Sequence, residues 1–76
     1  MIELVTKIGD VAVFKVRKKE DIAKATERIS ELMGGDYSYV CATKPDDIKA
    51  NGYLEILGTI EVDLERFNLI FVTPGQ

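Results

Sequence analysis

The chain holds few side chains able to do covalent chemistry, and their spacing does not assemble them. No histidine occurs among its 76 residues, which removes the commonest general base and the commonest metal ligand. Ser-His-Asp and Cys-His hydrolysis, and zinc sites of the usual kinds, cannot be built within one copy. Cys41 is the single cysteine, flanked by Val40 and Ala42. A reactive thiolate needs nearby positive charge and access. Lys44 follows shortly after it, but no imidazole exists to act as base, so the pattern reads as a small, buried apolar side chain in a strand. Asp46, Asp47, Asp63 and Glu65 fall in two turn-like stretches. Clustered carboxylates can hold Mg²⁺ or Ca²⁺ or work as an acid/base pair. These lack the Asp-x-Asp-x-Asp-Gly spacing, and turn chemistry accounts for them without a ligand. Gly34-Gly35 follows a helical stretch instead of preceding one, the wrong order for a phosphate cradle. The expectation is a protein that is not an enzyme and carries no metal and no cofactor.

Two groups of residues suit binding. Arg17-Lys18-Lys19 is the one basic run, and it would sit at a helix entrance, where backbone N–H groups also favour an anion. Glu20 and Asp21 follow at once and cancel much of its field. A nucleic-acid footprint is usually a larger stripe, so nucleic acid is a disfavoured partner. Tyr37, Tyr39 and Tyr53 have the ring faces that stack on bases. Without a flanking basic surface they read as half-buried strand residues with their hydroxyls toward water.

The composition frames these residues. Hydrophobic residues make up 46% and charged residues 30%, which is the balance of a globular domain and not of a disordered chain. Seventy-six residues suit one small domain, spanning 1–76. The formal net charge is −3. No apolar run approaches the roughly 20 residues of a membrane helix. The first residues run directly into a strand-like pattern and no disulfide can form within the chain, so a reducing cytoplasm is expected. The wealth of Ile, Lys and Glu leans toward a heat-adapted source.

The elements that must position these residues follow from periodicity. Residues 2–7 and 11–16 are rich in β-branched side chains, with Ile8-Gly9-Asp10 between them. This is a hairpin. A two-residue loop pairs Thr6 with Val13, and a four-residue loop pairs Thr6 with Val11. Residues 20–33 form the helix: Ile22, Ala25, Ile29, Leu32 and Met33 make one stripe at the helical period. Gly34-Gly35 supplies its left-handed stop. Residues 37–43 alternate as a third strand. Residues 44–52 form a loop with a short helical turn, opened by Pro45 and closed by Asn51-Gly52. Residues 53–62 alternate as a fourth strand, with Leu54, Ile56, Gly58, Ile60 and Val62 on one face. A turn at 63–66 leads to a last strand at 67–73. The expected fold is α+β, a two-layer sandwich in ββαβββ order, with one main helix on a mostly antiparallel sheet of about five strands.

That arrangement has a consequence for function. With Val62 opposite Phe67, Ile60 opposite Leu69 and Gly58 opposite Phe71, the helix covers the face bearing Ile56, Ile60, Leu69 and Phe71. Leu57, Ile70 and Val72 then share the opposite face, which a single helix leaves bare. Exposed apolar patches of this kind usually mark an interface. Burying three aliphatic side chains offers roughly 5–9 kcal/mol before association costs. The functional expectation is a non-catalytic protein-interaction module, pairing with itself or docking on another protein through this face or through the last strand as a free edge. The alternatives are a small-ligand-sensing regulatory domain, and a nucleic-acid accessory protein using Arg17, Lys18 and Lys19.

Overall fold

The structure, a computed structural model, describes residues 2–17 and 21–75. Strands β1 (Glu3–Ile8) and β2 (Val11–Arg17) form the expected hairpin. Gly9 takes φ 59° in the two-residue loop, and Thr6 lies opposite Val13. A bulge interrupts β1 between Leu4 and Thr6. Helix α1 (Ile22–Met33) is capped at its C-terminus by Gly34 at φ 69°, whose N–H bonds the Ser30 carbonyl. Strand β3 (Tyr37–Ala42) is followed by α2 (Pro45–Ala50), a second short helix α3 (Leu54–Leu57), and β4 (Phe67–Pro74). The fold is a small α+β domain with one antiparallel four-stranded sheet in the order β1-β2-β4-β3.

The strand count and the place of the last strand are corrected. First, residues 53–62 are not a strand, so the sheet has four strands and not five. Tyr53, Ile56, Leu57 and Ile60 also fall at i, i+3, i+4 and i+7, the helical template. All four pack on the same cluster as Phe71. Leu54, the first residue of the alternating set, is left exposed. The chain turns through α3 and continues in turns, with the Gly58 N–H on the Leu54 carbonyl and the Ile60 N–H on the Leu57 carbonyl. Phe71 meets no glycine; its ring stacks on Tyr53 at 4.5 Å and 8°. Second, the last strand is central, bonded to β2 on one side and β3 on the other.

Both faces of the sheet are therefore covered, and the two-layer expectation gives way to a sheet between two layers. Along β4, Ile70 and Val72 face α1 and pack with Val16, Ala25 and Ile29. Leu69 and Phe71 face the other way, packing with Val13, Ala42 and Ile48 under α2, α3 and the segment to Leu64. The segment expected to add a strand instead supplies the second cover. A strand that is apolar on both faces suits this central place. Leu32, expected on the α1 stripe, is 60% exposed. It lies about 60° around the helix from Ile29, toward the open flank.

Candidate interaction edge

The residues expected to form an interface are not on one surface. Ile70 and Val72 are 0% and 1% exposed beneath α1, so neither has surface to offer a partner in this fold. Leu57 is half-buried on the opposite side of the sheet. Of the basic run, Arg17 is exposed at the end of β2, opposite Phe67. Lys18 and Lys19 lie outside the described residues. Asp46 and Asp47 occupy the first turn of α2, and the Asp63 carboxylate accepts the Glu65 N–H at 3.0 Å. No group of acidic or cysteine side chains placed to hold a metal occurs among the described residues. No described helix is long and apolar enough to cross a membrane.

Tyr37 and Tyr39 do share a strand face, their rings stacked at 5.9 Å. The Tyr37 hydroxyl donates to the Thr26 carbonyl of α1 at 3.2 Å, which anchors the first ring. The second has no such anchor in its hydroxyl: Tyr39 is 48% exposed. Tyr53 lies across the sheet, on Phe71. Cys41, expected to be buried, is exposed on β3, although partial burial pushes its thiol pKa up. Tyr39 and Cys41 lie on β3, which ends the sheet order and has a strand neighbour on one side only.

The phase of that strand can be worked out from a single bond. Tyr37 lies opposite Pro74, which has no N–H to give. The Gly75 N–H instead donates to the Asp36 carbonyl at 2.9 Å. That bond marks Tyr37–Pro74 as a non-hydrogen-bonded pair of the antiparallel ladder. Alternation then directs the N–H and C=O groups of Ser38, Val40 and Ala42 toward β4. Those of Tyr37, Tyr39 and Cys41 point away from the sheet. β3 bonds only β4, so this outward row has no strand partner among the described residues.

The other edge is built differently. β1 carries Glu3 and Lys7, and its ladder is broken by the bulge at Leu4 to Thr6. Glu3 is also tied to Lys15 at 3.2 Å. Charges and bulges are what proteins place on edges to stop further strands from adding. β3, Tyr-Ser-Tyr-Val-Cys-Ala, has no charge, no proline and no bulge. Sequence reasoning found the strand and its alternation but took the last strand as the free edge. Compared with protein-family models, curated proteins and solved structures, the chain finds no match.

Proposed function

We propose that this chain is a non-catalytic protein-interaction module that extends its sheet by pairing β3 with the β3 of a second copy, antiparallel about Tyr39. The observation that carries this reading is the unpaired row at Tyr37, Tyr39 and Cys41 on an uncharged, regular edge. The row is self-complementary. With Tyr39 opposite its own counterpart, Tyr37 of one copy meets Cys41 of the other, and every outward N–H finds a C=O. About six hydrogen bonds would form, each worth roughly 0.5–1.5 kcal/mol net. The two exposed Tyr39 rings would meet across the new ladder, and such aromatic pairs add further stability. Association itself costs several kcal/mol, so the dimer is a weak one, with Kd above about 1 µM.

Sedimentation velocity over a concentration series tests this reading with Tyr39→Glu as the comparison. Wild type should move from one chain to two as concentration rises, while the variant stays at one chain with unchanged circular dichroism. Wild type that remains a single chain at millimolar concentration would overturn it.

A further inference from the structure

A cleft of about 510 Å³ opens where the end of β3, the start of β4 and the first residue of α1 converge; Ile22, Pro45 and Leu64 form its apolar walls, and Thr43, Lys44, Glu65 and Asn68 its polar lining. Local structure fixes each wall. Lys44 is the N-cap residue of α2, and Pro45 occupies the first helical position. The bond from the Glu65 N–H to Asp63 holds the turn that carries Leu64 and Glu65 over the opening. Asn68 sits in β4 opposite Val16, on the α1 side of the sheet.

Asn68 is the residue that gives the cleft meaning. It is 6% exposed, the one buried polar residue among the described residues, in a strand whose only other polar side chain is Thr73. Its carboxamide makes no hydrogen bond to any other described residue, yet neither of its polar atoms is sealed off. The residue lines the cleft. In the free chain water can meet these atoms, and a ligand seated in the cleft would take over the bonds of the water it displaces. Lys44 and Glu65, of opposite sign, line the same cleft without an ion pair between them.

From these groups we infer a binding site for a small zwitterion with an aliphatic body, an α-amino acid of the leucine type. The carboxamide meets both ends of such a ligand: Nδ2 donates to the carboxylate and Oδ1 accepts from the ammonium. Lys44 attracts the carboxylate and Glu65 the ammonium. The aliphatic body lies against Ile22, Pro45 and Leu64, in keeping with a pocket whose apolar walls hold a few directing polar groups. The inference does not depend on the pairing of β3. It concerns the opposite end of the sheet from Tyr37.

The test is an NMR titration of the isotope-labelled chain with L-leucine to about 20 mM, beside isocaproate and isoamylamine, which keep the aliphatic body and one charged end each. Leucine should shift the Asn68 side-chain amide and the backbone signals of residues 43–45 and 64–65 saturably, with Kd on the order of 1 mM. Each single-ended analogue should bind at least about tenfold more weakly, the loss expected from leaving a charged group unpaired. Asn68→Leu should lose binding at least about tenfold while the signals away from the cleft stay native. Lys44→Ala and Glu65→Ala, both at exposed positions, should each weaken binding with the fold intact. Leucine shifts that fail to saturate, that lie elsewhere, or that isocaproate reproduces at equal concentration would overturn the assignment.

Discussion

The two edges of the sheet differ in how they meet water. β1 is interrupted by a bulge and carries Glu3 and Lys7, and its hairpin partner supplies Lys15 to hold Glu3. β3 is regular and uncharged, and it carries the exposed Tyr39 and Cys41. One edge is defended against a further strand, and the other is left able to accept one. The asymmetry, more than hydrophobicity, is what directs the proposed pairing to β3. Val72 and Tyr39 make the point, since they are direct neighbours across the ladder. The first is 1% exposed under α1 and the second is 48% exposed. The same acidic substitution should therefore do opposite things at the two positions.

The largest effect should come from Val72→Glu. A carboxylate at position 72 would replace an apolar side chain that is 1% exposed, and burying a charge there costs several kcal/mol. A chain of this length has roughly 4–11 kcal/mol to lose. The variant should be unfolded or close to it by circular dichroism at 25 °C. A native spectrum would mean that α1 does not cover this face. Next in size, Tyr39→Glu should keep the fold and raise the dimer Kd at least about tenfold, as an edge charge is meant to do. Leu4→Glu, at an equally exposed position on the bulged edge, should leave Kd unchanged. Equal effects at both positions would erase the distinction between the edges.

Two smaller effects sharpen it. Cys41 lies on the proposed seam, and burial holds its thiol above the ordinary range. A raised pKa disfavours the thiolate, so alkylation of dilute protein should be slow at pH 7 and should climb as pH rises past about 8.5, where a free thiol is half ionised. At concentrations where β3 is paired the rate should fall severalfold at every pH. A rate independent of protein concentration would place Cys41 outside the seam. Salt should act weakly and in an informative direction. Each copy carries a formal charge of −3, so screening should tighten self-association modestly between low and high ionic strength. Weakening by salt would point instead to attraction between opposite charges, as in binding to nucleic acid through Arg17.

Much of this fold was legible in the residues, and the part that was not has a definite cause. Gly9 and the β-branched runs around it specify the hairpin, and the loop proves to be the two-residue form with Thr6 opposite Val13. Pro45 and Asn51-Gly52 bracket α2, and Gly34 stops α1. Residues 53–62 satisfy two templates at once. Leu54, Ile56, Ile60 and Val62 alternate, while Tyr53, Ile56, Leu57 and Ile60 have helical spacing. Nothing local separates the two readings; the bare face of the sheet does, because Leu69, Phe71 and Val13 need a cover. From that one ambiguity the strand count, the place of the last strand and the grouping of Leu57 with Ile70 and Val72 all follow. Strand order was beyond local pattern for a related reason. β4 bonds β2 and β3 from far along the chain, and no turn announces either pairing. The candidate edge thus had a readable strand, with Tyr39 and Cys41 on one face, and an unreadable neighbour. Asn68 gave a weaker signal, a polar residue followed by a run of four apolar ones, that only its burial makes informative.

The pairing of β3 is tested most directly by amide hydrogen exchange along that strand, measured in dilute and in concentrated solution. Ser38, Val40 and Ala42, bonded to β4, should be protected at both concentrations. Tyr39 and Cys41, whose N–H groups point away from the sheet, should exchange freely when dilute and become protected when concentrated. Amides of Tyr39 and Cys41 that stay unprotected at high concentration, while β1 gains protection in their place, would contradict the account.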